Sequence, residues 1–114
     1  MENIRERSGI YLRTGRTDMR KSINSLAVLV QEEMKLNPFE ESLFMFSNGR
    51  RTLKILYWDK NGFCLWMKRL ETNKFPWPKN SGQVLNLTKE QLGWLLSGID
   101  FFHAHETLNY TAVG

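Results

Sequence analysis

The sequence predicts an α+β fold: a small antiparallel sheet packed against one long helix and a short C-terminal helix. Three observations predict it. A first short apolar run is followed by a stretch with helical apolar period. The middle of the chain alternates in polarity between two turn signals. A capping box then opens a second helical stretch. At 114 residues, 41% apolar and 25% charged, the chain suits one globular domain, 1–114. Its core is expected over about 9–99, with a partly ordered tail over about 100–114.

Residues 9–14 (GIYLRT) read as a strand closed by Gly15. Thr17 and Asp18 are residue types that cap helices, and they precede a helix predicted over about 18–35. Met19, Ile23, Leu26, Ala27, Val30 and Met34 recur there at spacings of three and four, the signature of one buried face. Pro38 ends that stretch, because the residue before a proline is pushed out of helical geometry.

Leu43–Phe46 is the next strand, and Asn48-Gly49 is a strong hairpin signal, both residue types tolerating positive φ. Residues 52–58 and 63–70 complete a meander over about 43–70, joined through a turn at Asp59–Gly62. Pairing Trp58 with Phe63 across that turn sets Lys54 against Met67. Two prolines keep residues 74–78 extended. Val84–Leu87 reads as one more short strand. Thr88 and Gln91 then form a capping box, opening a helix over about 88–98 with Leu92, Leu95, Leu96 and Ile99 inward.

The chemistry of an active site is hard to find. Cys64 lies between Phe63 and Leu65, and one cysteine makes neither an internal disulfide nor a cysteine zinc site. His103 and His105 fall in the predicted tail without a second ligand cluster. Ser22 and Ser25 lack a histidine base outside that tail. Gly49, Gly62 and Gly82 are isolated turn residues and form no phosphate-cradling loop. Asp18, Asp59 and Glu71 stand in basic surroundings, where clustered carboxylates would hold two divalent ions. Each also has a local role, as a helix cap, a turn residue and a strand-end charge. No catalytic residue, metal site, cofactor or small-molecule substrate is assigned.

No apolar run approaches the ~20 residues of a membrane helix. The start, MENIRERSGIYL, places charges where an export signal would be apolar. A cytoplasmic protein with no membrane partner is expected.

One region is electrically distinct. The net charge of the whole chain is +4, yet residues 48–79 hold eight Lys or Arg against only Asp59 and Glu71, with six of the chain's aromatics among them. Cations interleaved with flat rings suit a polyanion that also carries stackable bases. The predicted DNA-contacting set is Arg50, Arg51, Lys54, Lys68, Arg69 and Lys74, extended by Arg16, Arg20 and Lys21 at the start of the long helix. Trp58, Trp66 and Trp77 are the candidate anchors for a protein partner. Two other readings stand beside DNA binding: a pure protein-interaction module using those tryptophans, and a metal-dependent nuclease using the three carboxylates.

Two stretches, IYLRTGRTDMRKSINSLAVLV and LFMFSNGRRTLKILYWDKNGFCLWMKRLETNKFPWP, carry a family resemblance. Within them stand a TDMRK helix start at Thr17–Lys21, an LKILYWD strand at Leu53–Asp59 and an F-x-W-P close at Phe75–Pro78. The chain resembles the small accessory protein, encoded by the second reading frame, of the insertion-sequence sixty-six (IS66) family of bacterial transposable elements. The resemblance runs from about Ile10 to Pro78 and continues more weakly through LTKEQLGWLLSGID. It implies a non-catalytic auxiliary role in transposition beside a separate transposase. It assigns no catalytic residues, and it makes DNA and the transposase the expected partners.

Overall fold

A computed structural model describes residues 7–102 of the chain. Its elements run β1 (Gly9–Arg13), α1 (Ile23–Glu32), β2 (Ser42–Ser47), β3 (Thr52–Asp59), β4 (Gly62–Arg69), β5 (Val84–Asn86) and α2 (Lys89–Leu96). The strands form one five-stranded sheet in the order β4-β3-β2-β1-β5. The fold is α+β, as the sequence predicts. Among the described residues no helix is long and apolar enough to cross a membrane. The predicted tail lies almost wholly outside the described residues.

The sheet is mixed rather than purely antiparallel. β2, β3 and β4 form the expected meander, and Trp58 pairs with Phe63 and Lys54 with Met67. β1, however, runs parallel to β2, with Ile10 opposite Leu43 and Leu12 opposite Met45. The chain leaves β1, crosses one face as α1 and re-enters at the same end, the connection a parallel pair requires. β5 closes the other side antiparallel, Leu85 opposite Leu12.

Both faces of the sheet are covered. On one, Phe44, Phe46 and Leu56 pack against Leu26, Leu29, Val30 and Met34, so α1 is the lid. On the other, Leu12, Leu43, Met45, Leu53 and Ile55 meet Phe75, Leu92, Leu95 and Phe101. β2 is therefore buried at every position, which is why it reads as an apolar run without alternation. The register divides the apolar residues of β3 and β4 between the two faces. Leu53, Ile55 and Tyr57 oppose Lys68, Trp66 and Cys64, whereas Phe63, Leu65 and Met67 point to the α1 side.

α1 is shorter than the predicted helix at both ends. The Asp18 carboxylate accepts the Arg20 backbone N–H at 2.9 Å, a local turn that competes with helix. Helix begins only after Ser22. At the far end Lys35 adopts φ +58°, reversing the chain before Pro38 does. α2 starts as expected. Gln91 N–H donates to Thr88 Oγ1 at 3.1 Å, and Thr88 N–H donates to Gln91 Oε1 at 2.9 Å.

Candidate nucleic-acid interface

Parallel pairing of β1 and β2 sends both strands out at one end of the sheet, where β3 and β5 begin and β4 finishes. Three connections meet there: residues 14–22, residues 48–51 and residues 70–83. Gly15 fastens the first to the third. Its φ is +81°, and a Cβ on it would stand 2.9 Å from the Ser81 Cα, so both conformation and space demand glycine. Its N–H donates to the Pro78 carbonyl at 2.8 Å, and Phe75 N–H donates to the Arg50 carbonyl at 2.7 Å. The Trp77 indole N–H donates to the carbonyls of Arg13 and Gly15, each at 3.1 Å. These bonds make a fixed wall of the Phe75–Pro78 segment.

Between the connections lies a trough of two adjoining depressions. The larger, about 640 Å³, is lined by Arg16, Arg50, Lys74, Trp77 and Lys79 among others, with Asp100 its one carboxylate. The second, about 560 Å³, is lined by Arg16, Asp18, Arg20, Asn48 and Arg50. Arg16 and Arg50 border both. A Cβ on Gly49 would lie 3.8 Å from the Arg16 Cγ, so the two turns bearing these arginines are neighbours. Arg16, Arg50, Lys74 and Lys79 are exposed. None of them takes part in an ion pair between described side chains, and Asp100 in the same lining is itself engaged.

Of the predicted DNA-contacting residues, the structure brings Arg16, Arg20, Arg50 and Lys74 to this trough. Arg20 is already engaged, holding Asp18 at 2.7 Å. The same guanidinium keeps the Asp18 carboxyl at about 2, well below its ordinary value. Arg51 is exposed on the 48–51 turn without lining either depression, and Lys21 is half-buried at the end of the first connection. Arg69 pairs with Glu71 at 3.2 Å on the surface.

Two lysines leave the set. Lys54 is 9% exposed on the α1 face. Its ammonium donates to the carbonyls of Met19 and Lys21 at 2.7 and 2.8 Å. Those carbonyls belong to the loop carrying Asp18 and Arg20, so Lys54 shapes the trough from beneath. Lys68 donates to the Leu96 carbonyl at 2.8 Å and serves the C-terminal end of α2. Replacing Lys54 with Ala leaves two partly buried carbonyls without their donor, and a loss of about 2–4 kcal/mol in urea denaturation is expected. Lys54→Met keeps the alkyl packing and should lose less.

Lys79 is the groove cation absent from the predicted set. Its signal was available, since it follows Pro78 inside the basic stretch. The three candidate tryptophans do not share a surface. Trp77 is the trough wall and Trp66 packs half-buried on the α2 side. Trp58 lies on the α1 side against Phe39 and Phe63, at ring separations of 5.1 and 5.0 Å.

The three candidate carboxylates are likewise separate. Asp18, Asp59 and Glu71 pair with Arg20, Arg7 and Arg69 respectively. Among the described residues no group of three or more His, Cys, Asp or Glu side chains is placed to hold a metal ion. Cys64 is half-buried in β4, and His103 and His105 lie outside the described residues.

A family model described as IS66 Orf2 like protein matches residues 8–106, a span that includes the whole trough. Two proteins of Sinorhizobium fredii (strain NBRC 101917 / NGR234) are similar to the chain. One, uncharacterized protein y4hO, is 44% identical over 115 residues, covering 99% of this chain and 96% of its own length. The other, uncharacterized protein y4jC, is 31% identical over 93 residues, covering 81% and 80%. No solved structure matches.

Proposed function

The chain belongs to the IS66 Orf2-like family, and from that membership we propose that it serves transposition by holding DNA in the trough at this end of the sheet. One observation carries the reading: four cations that form no ion pair among the described residues, Arg16, Arg50, Lys74 and Lys79, converge on a concavity from three separate connections. Arg7, Arg13, Arg20 and Arg69 are matched to carboxylates, whereas Lys35, Lys60 and Lys89, on the α1–β2 connection, the β3–β4 turn and the start of α2, line neither depression. Cations left unmatched in one concave place suit a polyanion brought from outside. In this reading the protein supplies binding and no chemistry of its own, acts in the cytoplasm and works beside the element's transposase.

Phosphate contacts position a protein without choosing a sequence, so the binding is weakly selective and steep in salt. Four phosphate contacts imply that affinity falls roughly 50- to 150-fold between about 50 and 200 mM salt. Fluorescence anisotropy with labelled single-stranded and duplex DNA measures this. Failure to bind either form at the lower salt removes the reading.

A specific observation favours a second contact, with the transposase. Phe39 is 56% exposed and meets Trp58 edge-to-face and Phe63 at a tilt, a surface aromatic cluster of the kind that anchors protein partners. It lies on the α1 face. Phe39→Asp should abolish transposase capture and leave DNA affinity unchanged.

A further inference from the structure

The shape of the trough narrows its ligand. Resting on the DNA-binding reading above, we infer that it takes a single unpaired DNA strand, with phosphates between the arginines and the lysines and a base against the ring of Trp77. The cations line the walls of a concavity. A reader of duplex instead pushes a helix or a two-stranded ribbon into a groove about 12 Å wide. At about 640 Å³, the larger depression has the capacity of a small-molecule cleft, enough for a nucleotide or two, and the second continues it as a shallow, open surface.

The wall has the properties a strand needs. Trp77 spends its one polar atom on the carbonyls of Arg13 and Gly15 and packs partly against the α2-side core, so the indole is held in place where it lines the cavity. Pro76 and Pro78 flank it, apolar and conformationally fixed, so little order is lost when a base lies against them. Arg16 and Arg50 line both depressions, so a backbone passing from one to the other must cross them. A positively charged channel with an aromatic platform is the recurrent solution for unpaired strands, because every base offers a flat face.

The test uses the full chain and varies the ligand, so no variant need fold. Affinities are measured by anisotropy at one moderate salt concentration for a short single strand, the blunt duplex of the same sequence, that duplex with an unpaired overhang, and an abasic strand of equal length. The single strand and the overhang duplex are expected to bind at least fivefold tighter than the blunt duplex. The abasic strand is expected to bind at least fivefold more weakly than the intact one. A blunt duplex bound within fivefold of the single strand, or better, overturns the inference while DNA binding stands. An abasic strand bound within fivefold of the intact one overturns the base contact. RNA of the same sequence bound more tightly overturns the assignment to DNA. If no DNA form binds, the reading beneath the inference falls as well.

Discussion

Replacing Arg16 and Arg50 together with glutamate is expected to lower DNA affinity by about 100-fold or more, because hydrogen bonds to charged groups are each worth roughly 1.5–3 kcal/mol. Reversal also sets two carboxylates where phosphates would lie. The slope of log affinity against log salt should become shallower by about 1.4–1.8 for the two lost contacts. The fold should not notice. Both side chains are exposed and form no ion pair among the described residues, and surface changes of that kind stay within ~0.5 kcal/mol. The backbone bonds of Arg50, from its N–H to Asn48 Oδ1 at 2.9 Å and from Phe75 N–H to its carbonyl, are untouched. Anisotropy and a urea melt on the same preparation check the two halves. Unchanged affinity with an intact fold would separate the trough from DNA altogether.

Phe44→Ala is expected to remove about 3–5 kcal/mol, the range for truncating a fully buried phenylalanine. Phe44 has no exposed surface and sits in the middle of β2, opposite Leu56 on one side and Tyr11 on the other. It stacks on the Tyr11 ring with centroids 6.0 Å apart and belongs to the cluster that carries Leu26, Leu29 and Val30 of α1. The cavity would open between sheet and helix at once. Domains of this size hold ~5–15 kcal/mol in total, so the urea midpoint should fall by at least about a fifth, with little change in slope. Val28→Ser, on the 54% exposed outer side of the same helix, should move it by no more than ~0.5 kcal/mol. A Phe44 variant as stable as the parent would mean that α1 does not pack as described.

The elements were legible because their signals are local. The Thr88–Gln91 box, the turn at Asp59–Gly62 and the three-four spacing from Ile23 to Val30 each fit within a few residues, and each appears where it was read. Long-range determinants were not legible. Nothing near Lys54 marks a lysine whose ammonium will seek carbonyls 35 and 33 residues away; at its alternating position it reads as a solvated cation. The early helix start failed for the same reason. Thr17 and Asp18 look like caps, but Thr17 N–H is spent on the Ser47 carbonyl at 2.8 Å and Asp18 closes its own turn. Charge composition named Arg16, Arg50 and Lys74. Their meeting follows from the parallel β1–β2 pair, which no residue spacing announces. The tryptophans scattered because both faces of the sheet are covered, and alternation says which residues share a face without saying what lies over it.

The β1–β5 pairing has a consequence for how the chain is made. β1 sits inside the finished sheet, yet the partner on its outer side is Val84–Asn86, more than seventy residues later. A polypeptide leaving the ribosome at ~5–20 residues per second therefore carries Gly9–Arg13 with an unsatisfied row of amides for several seconds. That apolar ribbon is open to wrong partners until the last strand arrives. Premature termination near residue 80 would leave the gap permanently, and aggregation is the natural fate of such a fragment.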